Sequence, residues 1–154
     1  MLFLAFALLS SRSLAGSQNL QSGQQAIFLN SGNRIIGEII DISSTRLVLQ
    51  LKGGREIPLS RIWMINFINK NWYFPEELKR MRTPEHYLFL KNDDVMSGRI
   101  VDFNDRMRVF ELEGGGKVEI GKLRRIYFSG AIPEKLARTL KPKIKRGTKG
   151  KIIR

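Results

Sequence analysis

Cysteine is absent from the 154 residues, so no disulfide staples this chain and no thiolate can hold a metal. Histidine occurs once, at His86 beside Thr83-Pro84-Glu85, with no nucleophile motif around it; a general base needs a positioned partner, and the neighbouring sequence supplies none. Asp93, Asp94 and Asp105 fall at expected turns, where short acidic side chains bond locally, and they lack the regular ligand spacing of a calcium loop. Gly114-Gly115-Gly116 is not followed by the helix and lysine of a phosphate-cradling loop. The apolar run at residues 2–9 is far short of the roughly 20 residues that span a bilayer as a helix. These absences argue against an enzyme, a cofactor and a metal centre, and direct attention to binding or scaffolding.

What the chain does contain is itself, twice. Displaced by 61 positions, residues 27–67 fall on 88–128 without a gap. Identities recur at Phe28/Phe89, Gly37/Gly98, Asp41/Asp102, Val48/Val109, Leu51/Leu112 and Ile65/Ile126, and most other apolar positions keep their character. The repeated features form an apolar and turn skeleton, with no catalytic residue in common. Units of about 60 residues lie near the lower limit for an independent core, so the halves are expected to support each other. At 42% hydrophobic and 27% charged residues, the composition is globular.

Each copy reads as five short strands. In the first these are 26–30, 34–43, 45–52, 55–59 and 63–67; in the second, 87–91, 95–103, 106–113, 117–120 and 124–128. Leu47, Leu49 and Leu51 share a parity that assigns them to one sheet face. Five strands in so short a unit are expected to close into a small, strongly bent barrel rather than two packed sheets, with Gly37 and Gly98 at the bend of a long second strand. The barrels either pair their edges into a ring of chains or satisfy each other as a pseudo-dimer. Phe74-Pro-Glu-Glu-Leu-Lys-Arg and Ile132-Pro-Glu-Lys-Leu-Ala-Arg each predict a short helix capping the preceding barrel. The expected organisation is all-β: leader 1–15, linker 16–25, barrel and helix 26–82, barrel and helix 83–140, and a basic disordered tail 141–154.

Charge is concentrated at one end. Of the net +13, residues 129–154 carry nine basic groups against one acid, whereas each repeat is close to neutral. Lys141, Lys143, Lys145, Arg146, Lys149, Lys151 and Arg154 are therefore the candidates for an anionic partner, whether polymer, membrane surface or protein, because clustered cations gain affinity by releasing counterions. The leader combines the apolar run with small residues at Ser13 and Ala15 before Gly16, as in a secretory signal peptide, although no Lys or Arg precedes the run. It implies a periplasmic or secreted protein; the alternative is a cytoplasmic one.

Trp63, Trp72, Tyr73 and Phe74 form the densest aromatic cluster, flanked by Lys70, Lys79 and Arg80. Such a cluster packs barrels together or stacks on bases and sugars, which makes Trp72 and Tyr73, with Arg106 and Arg108 in the loop of repeat two, candidate surface-binding residues. Asp41 and Asp102 fit a local hydrogen bond near a strand end better than a ligand site.

The run Gly98-Arg-Ile-Val-Asp-Phe-Asn-Asp-Arg-Met-Arg-Val, with apolar residues 88–90 before it and 123–128 after it, resembles the Sm-like small-barrel pattern; repeat one follows it more loosely. That resemblance implies two tandem five-stranded barrels, possible homo-oligomers through barrel edges, and, as the alternative function, RNA or DNA binding. Where Sm-like proteins carry Asp and Asn in the loop after the second strand, this chain has Asn104 and Arg108, or Ser43 and Leu47. Their Arg-Gly near the last strand is replaced by Arg61-Ile62 and Lys122-Leu123. A second stretch, Asp41-Ile-Ser-Ser-Thr-Arg46, resembles the cyclic-dinucleotide motif of PilZ barrels, with Arg46 in place of its glycine.

Overall fold

The computed structural model describes residues 20–68, 75–81 and 84–140. The expected leader, residues 16–19 of the linker, Trp72, Tyr73 and the tail from Lys141 onward lie outside the described residues. The first repeat forms β1 (Gln25–Leu29), β2 (Arg34–Gly37), β3 (Ile39–Ser43), β4 (Val48–Leu51), β5 (Glu56–Pro58) and β6 (Ile62–Asn66), with a 3₁₀ turn at Leu59–Arg61 before the last strand. The second forms β7 (Tyr87–Leu90), β8 (Val95–Ser97), β9 (Ile100–Asn104), β10 (Val109–Leu112), β11 (Lys117–Glu119) and β12 (Leu123–Tyr127), with the matching turn at Ile120–Lys122. Helices α1 (Pro75–Lys79) and α2 (Glu134–Leu140) follow the two sets.

The fold is all-β, but the long second strand predicted for each repeat is divided, at Glu38 and at Gly98-Arg99, and its halves lie in different sheets. One sheet has the order β2-β1-β6-β12-β7-β8 and the other β11-β10-β9-β3-β4-β5. Neither closes by hydrogen bonds into a barrel: β2 and β8 edge the first, β5 and β11 the second. Two packed sheets are possible in so short a chain because the repeats pool their strands, three each to either sheet. The strands that meet are equivalents. β6 pairs with β12 so that Ile65 faces Ile126, and β3 meets β9 where Ile42 faces Phe103; each pair is 61 residues apart. Antiparallel pairing of a residue with its own copy is the signature of a two-fold axis, here an internal one threading both sheets.

Between the sheets lies the main core, with Ile27, Ile65, Leu88 and Ile126 from the first and Ile39, Leu49, Phe103 and Phe110 from the second. The far face of the first sheet is apolar as well: Ala26, Phe28, Trp63, Met64, Phe89 and Tyr127 pack with Leu136 of α2 and Leu78 of α1. Covered on both sides, β1 and β6 are buried throughout, whereas the second sheet turns one face to solvent and alternates. Leu49 and Leu51 take the expected inward positions. Leu47 does not: it lies before the strand, in a turn, with φ +50° and its N–H donated to Ser43 O, and it is 43% exposed.

The helices also differ from expectation, since neither caps only its own repeat. From α1, Glu77 bonds to Arg124, Arg125 and Tyr127 of repeat two, and the adjoining Arg80 lies over the Phe89 ring at 5.7 Å. From α2, Lys135 lies against Gly32 in the β1–β2 hairpin of repeat one. Each helix has crossed to the other half.

The two corner glycines are required for different reasons. At Gly37 a Cβ would stand 2.9 Å from Leu51 Cδ1, inside the core. At Gly98 the nearest atom is Leu112 Cδ1 at an ordinary 3.5 Å, but φ is +153°, which a side chain resists. We therefore expect Gly37→Ala to cost about 1–3 kcal/mol by overpacking and to couple with Leu51→Val in a double-mutant cycle of urea unfolding. Gly98→Ala should cost about 1–3 kcal/mol as backbone strain and show no coupling with Leu112→Val. Equal coupling at both corners would contradict this distinction.

Candidate functional site

Among the described residues, chemistry-bearing side chains gather in three places. The first is an open depression of about 370 Å³ whose lining includes Leu20, Gln25, Phe67, Lys91, Arg108 and Ile120. Lys91, exposed just after β7, donates its backbone N–H to Lys122 O, and with Arg108 it gives this groove a cationic rim over the apolar Phe67 and Ile120. Arg108 is less available than its loop position suggests. With φ +55°, it turns its guanidinium back so that Nη1 donates to Ile39 O at 2.9 Å and to Asp105 Oδ1 at 2.7 Å, while the group lies 5.2 Å from the Phe103 ring centre. It therefore ties repeat two to repeat one. Arg106, in the same turn, is exposed and is not among the groove residues.

The second place is the pair of corners where the divided strands cross between sheets. Gln25 Oε1 accepts the N–H of Ile39 at 3.0 Å. Exactly 61 residues on, His86 Nδ1 accepts the N–H of Ile100 at 3.0 Å. These amides begin β3 and β9, where the preceding break removes a ladder partner, and a side-chain acceptor supplies one. The only histidine thus serves as a hydrogen-bond acceptor. Burial, reinforced by the charge of Arg99, pulls its pKa below the usual histidine value. Asp102 is likewise local, its Oδ1 accepting the N–H of Phe103 at 2.8 Å.

The third is a buried ionic cluster under α1. A bulge in β12 pairs Leu123 with Leu90 and Arg125 with Phe89, leaving Arg124 over; by the geometry of a bulge, this brings consecutive side chains toward one face. Arg125, fully buried, donates Nε to Glu77 Oε2 at 2.8 Å, Nη2 to Glu77 Oε1 at 3.0 Å and Nη1 to Asn66 Oδ1 at 3.2 Å. Arg124 donates Nε to Glu77 Oε1 at 2.9 Å and Nη1 to Asp93. The Tyr127 hydroxyl donates to Glu77 Oε2 at 2.7 Å; burial and the adjacent carboxylate hold the phenol well above its ordinary pKa. Hydrogen bonding to Arg124 and its charge lower the pKa of Asp93. Two guanidinium groups meet two carboxylates, Glu77 buried with Arg125 and Asp93 exposed at the outer side of Arg124, so the charges balance from the interior to the surface.

Repeat one has the same bulge, between the Phe28–Met64 and Leu29–Ile62 pairs, with Trp63 as the extra residue. It fills the positions of Arg124 and Arg125 with Trp63 and Met64, and the helix on that side buries Leu136 where α1 buries Glu77. Trp63 Nε1 is left buried without an acceptor. Of the sequence candidates, Arg106 and Arg108 are described, and neither belongs to the ionic cluster. Its signal was a place where the repeats disagree in character, Trp63-Met64 against Arg124-Arg125.

Comparison with known proteins finds no family model, no curated protein and no solved structure that matches the chain. Among the described residues no group of His, Asp or Glu is arranged to hold a metal, and no helix is long and apolar enough to cross a membrane. Through Glu77, which bonds to Arg124, Arg125 and Tyr127, the ionic cluster anchors α1 to the first sheet. Glu77→Leu should leave the buried charge of Arg125 without its carboxylate and cost about 3–5 kcal/mol. Adding Arg125→Met, which copies the apolar arrangement over repeat one, should restore more than half of that loss in denaturant unfolding; simple additivity would refute the anchor.

Proposed function

We propose that the protein is a non-enzymatic binding or scaffolding module of the bacterial cell envelope, and that its partner is anionic. The observation that carries this reading is the separation of charge: each repeat is near neutral, and the excess lies in residues 129–154. Within the repeats, cations are matched locally, as in Arg46–Glu56, Lys117–Glu111, Arg108–Asp105 and the Glu77 cluster. The basic segment has no comparable supply of acids in its own sequence. A pseudo-symmetric body with a polycationic end suits tethering: the body presents a surface, including the groove beside Lys91, while the cationic end holds it to a polyanion or anionic membrane. The envelope assignment rests on the leader-like residues 1–15.

Nucleic-acid binding is the alternative reading, supported by the same charge and by the Sm-like resemblance. Against base-specific recognition stands Arg108, which is occupied by Ile39, Asp105 and Phe103.

Deletion of residues 141–154 removes seven of the thirteen net positive charges. The truncated protein should keep its thermal midpoint and lose at least about tenfold in affinity for anionic vesicles at low salt. The difference should vanish toward 1 M salt, where the Debye length falls to about 3 Å from about 10 Å at 0.1 M. A parallel titration with single-stranded RNA separates the readings, since preference for RNA over vesicles at matched charge would favour the alternative. Unfolding on truncation, or unchanged binding at low salt, would reject the tether.

A further inference from the structure

The corner latches differ in one chemical respect that the duplication makes easy to isolate. In repeat one, Ile39 is held on both sides, its N–H by Gln25 Oε1 and its carbonyl by Arg108 Nη1. Gln25 does not titrate. In repeat two, the N–H of Ile100 is held by His86 Nδ1, and the residue at the position equivalent to Arg108 is Leu47, whose side chain carries no donor. His86 also offers its backbone carbonyl to the N–H of Gly98 at 3.0 Å, and its ring packs against Phe128 with centroids 4.7 Å apart. It thus sits between the end of β8, the start of β9 and the end of β12.

We infer that His86 is an acid-operated latch: a proton on Nδ1 converts the acceptor into a donor facing the N–H of Ile100, so that the corner between β8 and β9 opens while the corner between β2 and β3 stays shut. An imidazolium has no lone pair for the amide, and the amide would be left buried without a partner. The charged groups acting on the ring are Arg99, across the corner, which opposes protonation, and Glu85, its chain neighbour, which favours it; burial adds to the opposition and the balance lies with the neutral ring. The unfolded chain therefore takes up this proton at a higher pH than the folded one. The latch contributes its full stability above about pH 6.5, the unperturbed histidine value, and loses it progressively as pH falls from there toward the lower folded pKa.

The test is residue-resolved amide exchange on the full chain from pH 7.5 to 5.0, with the Ile39 amide as internal reference for Ile100, together with the NMR titration of the His86 ring. Protection of Ile100 relative to Ile39 should fall by about tenfold for each unit by which the ring pKa lies below its ordinary value. His86→Gln, which installs the latch of repeat one, should hold the ratio level across the range. A flat ratio in the native protein would overturn the inference, as would a ring that titrates at its ordinary value or an equal fall in His86→Gln.

Discussion

Everything in this structure depends on a strand meeting its own copy. A unit of about 60 residues buries too little apolar surface to be secure alone, and each repeat leaves open one edge of β6 or β12 and one edge of β3 or β9. Pairing of β6 with β12 and of β3 with β9 covers these four edges at once and leaves β2, β8, β5 and β11 as the edges, so half of the open strands that invite association are removed. It also joins two small cores into the continuous set running from Ile27 to Ile126. The bulges, the divided second strands and the 3₁₀ turns recur in both halves because each shapes a strand that the axis requires. The helices strengthen the same junction by crossing it, so that separating the halves would uncover the outer face of the first sheet on both sides.

Against that common frame the two halves have specialised in complementary ways. Over β12 the sheet is cationic and its helix supplies Glu77; over β6 the sheet is aromatic and its helix supplies Leu136. The buried ion cluster is expensive to desolvate, and its stabilising value lies in being complete. What it adds is direction: a helix carrying Glu77 is favoured over β12 and disfavoured over Trp63, where its carboxylate would have no guanidinium to meet. The corners have diverged similarly, with space against Leu51 deciding one glycine and backbone angle deciding the other.

Much of the frame was legible in the sequence. The 61-residue displacement follows from direct comparison of the two copies, and the strand order within each copy and the structural weight of Gly37 and Gly98 follow from periodicity and turn chemistry, which are local. The division of the second strand was not visible, because apolar alternation continues through the corner. Leu47 misled for a related reason: its parity matches Leu49 and Leu51, but a turn with positive φ intervenes. The crossing of the helices and the Glu77 cluster lay beyond sequence reasoning, since Glu77 and Arg125 are separated by 48 positions and meet only because a bulge turns both arginines outward. The latch residues lay just upstream of the most obvious repeat; carrying the same displacement to Gln25 and His86 pairs a glutamine with a histidine, and only their shared hydrogen bond reveals the equivalence.

Covalent linkage of the two copies changes which substitutions the chain can survive. In a homodimer every replacement is made twice, and near the axis the two altered side chains confront each other. An arginine at the position of Arg125 would then appear also at Met64, doubling the buried charge on either side of the Ile65–Ile126 contact. In a single chain the same replacement is made once, and the other half can remain apolar. A histidine can likewise occupy one corner while glutamine keeps the other insensitive to acid. Linkage thus gives a symmetric architecture the genetic freedom of a heterodimer, without the need to find a second chain.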